Sequence, residues 1–190
     1  FHDHPAYINA AAKIINQFWK QNGKPSKLVL SFHGVPEFSL RKGDPYHCEC
    51  HKTARLITEK LPISDNNVTV CFQSRFGRAE WLKPYTIEIM NELGKAQTET
   101  LDVFCPGFVS DCLETLEEIA IENQQEFCLA GGKNFRYIPC LNSNPLWISA
   151  LEKLLKENLA GWLPIKFDEA LSKKEQKLSK ERAIKLGAKT

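Results

Sequence analysis

Apolar positions along the chain follow two rhythms, one spaced for helices and one running continuously over five or six residues. Residues 5–22 carry Ile8, Ala11, Ala12, Ile15, Phe18 and Trp19 at the spacing that gives a helix one apolar face, and Asn22-Gly23-Lys24-Pro25 stops it. Lys27-Leu28-Val29-Leu30-Ser31-Phe32 is a short apolar run without strict alternation, as expected of a strand buried on both faces. His33-Gly34-Val35-Pro36 breaks that strand. A polar loop with Gly43-Asp44-Pro45 follows, and helical spacing returns over 46–61 through Cys50, Ala54, Leu56, Ile57 and Leu61. The pairing then repeats. Val68 to Phe72 reads as a strand, Gln73 to Trp81 as a loop, and 84–95 as a helix with Pro84 in its first turn. Thr100 to Cys105 is a third strand, ended by Pro106-Gly107, and Asp111 to Gln125 an amphipathic helix capped by Ser110 or Asp111. Phe135 to Pro139 is a fourth strand, with a helix near 145–159.

Strand alternating with helix four times predicts a four-stranded parallel sheet with helices on both faces, a three-layer α/β/α fold. After Trp162 the pattern changes, and Lys and Glu dominate 168–189. The expected organisation is therefore one lobe over 1–164 and a charged tail over 165–190, either a solvated helix or partly disordered.

Composition narrows the class. A length of 190 residues suits one packed domain with an appendage, and 43% hydrophobic with 25% charged residues excludes a disordered chain. A formal net charge of +2 offers nothing to a polyanion, so no nucleic-acid partner is expected. No apolar run approaches the roughly 18 residues of a membrane-spanning helix, and no secretory signal opens the chain. It opens instead on Phe1-His2-Asp3-His4, within helix-entry sequence, and is expected to be a piece of something longer. The seven cysteines are an odd set, several of them in strand-like runs, which points to free thiols in a reducing, cytoplasmic compartment.

In open parallel sheets, ligands bind outside the carboxyl ends of the strands. That rule selects the loops at 33–46, 73–83, 106–113 and 139–144. His33 opens the first as a metal ligand or proton acceptor, or else as a capping histidine. Gly34 beside it removes side-chain bulk that would keep a flat ligand away. In the helix after the third strand, Glu114, Glu118 and Glu122 fall on one stripe at helical spacing, opposite Leu116, Ile119 and Ala120. Such a stripe handles divalent cations or protons, or is a solvated helix face. In the second loop, Phe76 and Trp81 could flank a planar substrate and Arg75 or Arg78 meet a carboxylate. Trp81 could equally pack the loop onto the next helix. His47-Cys48-Glu49-Cys50-His51 looks like a metal cluster, but one residue between cysteines is too few for a zinc site, and on a helix the thiols point apart. An accident of composition or a weak iron or zinc site are the two readings. No glycine-rich nucleotide fingerprint follows the first strand.

In combination and order these segments carry a resemblance. Ser31-Phe32-His33-Gly34-Val35-Pro36, Gly43-Asp44-Pro45-Tyr46 with Cys50 and Thr53, the 72–86 loop, and Pro106-Gly107-Phe108-Val109-Ser110-Asp111-Cys112-Leu113-Glu114-Thr115-Leu116-Glu117-Glu118 resemble ferrochelatases. Phe1 to Ala10 and Asn142-Ser143-Asn144-Pro145 resemble the family's flanking segments, so the similarity covers roughly residues 1–160. The resemblance implies the C-terminal lobe of a two-lobed chelatase that grips a porphyrin and inserts ferrous iron to form haem. It implies His33 and Glu114 as the catalytic, metal-handling pair, and Glu118 and Glu122 as further metal-side carboxylates. Pro36, Gln73, Arg75, Phe76 and Trp81 become the porphyrin-binding candidates. Iron is a substrate on this reading, and no resident cofactor is required. Cys112 stands where some relatives carry a histidine. No cysteine lies beyond Cys140, so no iron–sulfur cluster is expected. The partners implied are porphyrin, ferrous iron and the N-terminal lobe, in a protein that is cytoplasmic or peripheral to a membrane. The alternatives are a chelatase for another metal or tetrapyrrole, such as cobalt, and a non-catalytic metal- or tetrapyrrole-binding module.

Overall fold

A computed structural model describes residues 1–162 and 168–188. The chain divides into a compact unit over Phe1–Leu154 and a second over Leu155–Thr190. The boundary expected between 164 and 165 lies outside the described residues.

The first unit is built on four parallel strands, β1 (Lys27–His33), β2 (Val68–Gln73), β3 (Thr100–Phe104) and β4 (Asn134–Tyr137), in the order β2-β1-β3-β4. The central strand β1 is buried from Leu28 to Phe32, which is why its sequence shows no alternation. Helices α1 (Pro5–Asn22), α3 (Tyr46–Thr58) and α7 (Pro145–Asn158) contribute to one core, with Ile8, Ile15, Trp19, Ile57 and Trp147 meeting Leu28, Leu30 and Phe32. The other core gathers Met90 from α4 (Thr86–Lys95), Ile119, and Phe127 from α6 (Gln124–Leu129) against Val29, Leu101 and Val103. The three-layer α/β/α architecture expected from the alternating pattern is the one observed. Helix α1 is started by His4, whose side chain accepts from the Ala6 backbone at 3.2 Å, with Pro5 in its first turn.

Three local expectations are corrected. The loop after β1 contains a short helix, α2 (Glu37–Arg41), too brief to carry a periodic signal. Pro84 lies before α4 rather than inside it: its carbonyl accepts from Phe72 N at 2.9 Å, and Tyr85 bridges to Phe72, so the sheet claims the segment first. The helix expected over 111–125 is broken into α5 (Leu113–Leu116), a π-helical turn over Glu118–Asn123, and α6. The cause is local competition for one carbonyl. Asn123 Nδ2 donates to Glu118 O at 2.6 Å, and Glu122 N donates instead to Glu117 O, five residues back, at 2.9 Å.

In the second unit, α8 (Glu169–Lys185) buries none of its residues. It is capped by Asp168, which accepts from Leu171 N at 2.9 Å, and carries a Lys173–Glu169 pair at 2.7 Å. Among the described residues no helix is long and apolar enough to cross a membrane.

Candidate active site

The carboxyl ends of β1 and β2 lie side by side, with His33 in register with Gln73. Ser31, buried within β1, donates to Gln73 Oε1 at 2.8 Å. Tyr46, at the start of α3, donates through its hydroxyl to the His33 carbonyl at 2.8 Å. The imidazole itself is polarised by its neighbour, since Nδ1 stands 2.6 Å from the Gly34 carbonyl oxygen. A carbonyl can only accept, so Nδ1 carries the proton and Nε2 keeps a lone pair.

Two aromatic rings stand beside that imidazole, Trp81 at 6.0 Å and Phe108 at 6.1 Å between centroids. Trp81 reaches it because the loops after β1 and β2 are tied together: Pro36 and Trp81 form an antiparallel bridge, and Leu82 N donates to Val35 O at 3.0 Å. The space freed at Gly34 is filled from within the protein. A Cβ there would stand 3.0 Å from both the Gln73 carbonyl oxygen and the Trp81 ring. Trp81 also leaves its buried indole N–H without a partner.

The carboxylates arrive from the other side, after β3. Cys112 caps α5, its sulfur accepting from the Thr115 backbone while Thr115 Oγ1 accepts from Cys112 N at 3.0 Å. The Cys112 thiol also hydrogen-bonds the Glu114 carboxylate, which, with Glu114's own backbone N–H, holds that carboxyl below its ordinary value; protonation of His33 would act in the same direction. Burial and the same contact with Glu114 raise the Cys112 thiol, so it remains a protonated donor. Gln73 fastens this helix to β2. Its amide donates to the Glu114 carbonyl at 2.6 Å and to Glu118 Oε2 at 3.2 Å. Glu118 accepts further from Ser74 N and Ser74 Oγ, each at 2.6 Å.

His33, Pro36, Gln73, Trp81, Glu114 and Glu118 thus gather at one edge of the sheet. Gln73 is buried and its amide fully engaged, so within the fold it positions the acidic helix. Arg75 and Phe76 stand exposed on the loop after β2, Arg75 over the Tyr85 ring at 4.9 Å. Glu122 is exposed, within the π turn that begins at Glu118. Phe108, Tyr46, Ser31 and Ser74 escaped residue-by-residue reading. Position was the available signal for Phe108 and Ser74, which follow strand carboxyl ends, whereas Ser31 lies within β1 and Tyr46 opens α3.

Beside this edge lies a cavity of about 210 Å³, with Phe32, Tyr46, Cys50, Pro106 and Gly107 among its walls. Among the described residues no group of three or more His, Cys, Asp or Glu side chains is gathered as a metal cage. All seven cysteines are free thiols.

Comparison with known proteins adds an independent line. The ferrochelatase family model matches residues 1–159. The chain is 53% identical over 188 residues to a ferrochelatase of Nitrosomonas europaea, covering 99% of this chain and 50% of that protein. It is 56% identical over 170 residues to one of Chromobacterium violaceum, covering 90% and 47%. With one of Janthinobacterium sp. it shares 50% over 190 residues, covering 99% and 52%. The chain spans about half the length of the curated relatives it matches.

Proposed function

Since the chain belongs to the ferrochelatase family, we propose that it is the metal-handling half of a lyase that inserts ferrous iron into protoporphyrin to form haem. The observation that carries this reading is His33, its Nε2 lone pair free, flanked by two aromatic rings and within reach of the charge of an ionised Glu114.

Insertion takes Fe2+ into the ring and expels two pyrrole protons, so the site needs a base for the macrocycle and an anionic group for the cation. Imidazole and carboxylate supply both. Nε2 of His33 takes a pyrrole proton or touches the metal, and Glu114, held in its charged form, faces the incoming cation. Glu118, anchored by Ser74 and Gln73, and the exposed Glu122 continue the metal side outward. Trp81, Pro36, Phe76, Arg75 and the Gln73 region face the macrocycle. Ferrous iron is substrate here, and the reading requires no resident cofactor or iron–sulfur cluster.

The adjoining cavity is smaller than the roughly 300–1,000 Å³ of pockets that enclose small ligands. A porphyrin therefore lies across the sheet edge, covered from its far side by the N-terminal half of the complete protein. Phe38 on α2, Phe76 on the loop after β2 and Leu113 at the start of α5, all exposed, are the surface such a half would cover. The protein is expected to work in the cytoplasm or at a membrane surface.

The test is anaerobic iron insertion into protoporphyrin by the full-length protein and its His33→Ala and Glu114→Ala variants. Haem formation should fall by about 10²–10⁴-fold in each variant while porphyrin still binds. A folded wild type that binds porphyrin but metallates nothing would overturn the assignment.

A further inference from the structure

The segment His47-Cys48-Glu49-Cys50-His51 forms the first turns of α3, and the helix separates its cysteines: Cys48 is exposed and Cys50 is buried in the core. The same geometry unites its histidines. Residues four apart on a helix share a face, and the His47 and His51 rings stand 4.5 Å apart between centroids. With a metal–nitrogen bond of about 2.1 Å and about 1.1 Å more to the ring centre, two imidazoles at a right angle around one ion have centroids about 4.5 Å apart. The observed spacing matches.

The rings pack against the sheet, but their nitrogens are not spent on holding the fold. Among the described residues neither imidazole makes a hydrogen bond to the protein, although one is half-buried. Instead both lean on one wall, the buried Phe72 ring, at 5.6 Å from His47 and 6.2 Å from His51. That wall restricts the rotamers and lowers the ordering cost of chelation.

We infer that His47 and His51 form a second metal site, a two-imidazole chelate for a borderline divalent transition ion such as Ni2+, Cu2+ or Zn2+. Imidazole selects this class, whereas Mg2+ and Ca2+ demand oxygen cages. The site shares no residue with the His33–Glu114 pair. It does not depend on the chelatase reading. No group of three ligand side chains forms among the described residues, so the two imidazoles carry the binding and each is indispensable to it.

The experiment is calorimetric titration of tag-free full-length protein with Ni2+, with copper electron paramagnetic resonance to count coordinated nitrogens. His47→Gln and His51→Gln should each weaken this site on the order of 100-fold, the loss expected when one arm of a chelate is removed. His33→Ala should leave it unchanged, and the copper spectrum should lose one nitrogen in either Gln variant. His51 is exposed and His47 half-buried against Phe72, and circular dichroism checks that the fold is kept. Binding undiminished in either Gln variant, binding abolished by His33→Ala, or no Ni2+ uptake by the wild type would each overturn the inference.

Discussion

His33 owes its chemistry to one carbonyl and its place to one glycine. The Gly34 oxygen fixes the proton on Nδ1, and the missing Gly34 side chain admits Trp81. An alanine at 34 would press on a ring that could shift and on a strand carbonyl that cannot. Gly34→Ala is expected to cost about 1–3 kcal/mol by overpacking, read from urea denaturation midpoints. It should also lower iron insertion by displacing Trp81 from His33. A variant as stable and active as wild type would show that the close approach is unimportant. The places of His33 and Glu114 were legible in the sequence because they end a strand and begin a helix at the rim where ligands bind; their pairing came from the family resemblance. Tyr46 and Ser31 were not, because hydroxyls that bond to a backbone carbonyl or a buried amide leave no periodic trace. The histidine pair on α3 was masked by the cysteines between them, although its four-residue spacing is a helical signal in its own right.

Among the elements, the helix after β3 departs furthest from its sequence pattern. Period counting assumes a regular turn, and nothing in the periodicity marks Asn123 as a competitor for the Glu118 carbonyl. The start of that helix is held by Asp111, which accepts from Tyr137 at 2.6 Å and from Asn142 at 2.6 Å and so ties it to the segment after β4. Burial alone would raise the pKa of Asp111, but the hydrogen bonds from Asn142 and Tyr137 outweigh it and hold the carboxyl below its ordinary value of 3.8. A lowered carboxyl contributes stability that is complete above that ordinary value and is lost as pH falls through the folded one. Denaturation midpoints measured from about pH 5 downward should therefore fall less steeply in Asp111→Asn than in wild type. Identical slopes would remove Asp111 from the acid response. The loop carrying Asn142 stood out by its place after β4 and by family resemblance, but its contact with Asp111, across 31 residues, did not.

Across the whole first unit, Arg136 joins three elements. Its guanidinium donates to Asp102 at 2.6 and 3.0 Å and to the carbonyls of Asn22 and Gly23 at the end of α1, while Trp19 donates to Asp102 at 2.7 Å. Asp102 is fully buried, so Arg136→Ala strands a charge and is expected to destabilise by about 3–5 kcal/mol, measurable by chemical denaturation. A loss below about 1 kcal/mol would mean that water reaches the carboxylate. The layered architecture was legible because buried parallel strands write continuous apolar runs, whereas this cross-layer tie joins residues whose charges look like ordinary surface. The strand order has a consequence for a chain made from its amino end. Strand β1, the first of these four to be made, lies inside the sheet and receives its neighbours later. Ser31 waits 42 residues for Gln73, and Gln73 waits 41 more for the Glu114 helix. A nascent chain stopped before Glu118 would present the imidazole without the carboxylate that Gln73 and Ser74 anchor.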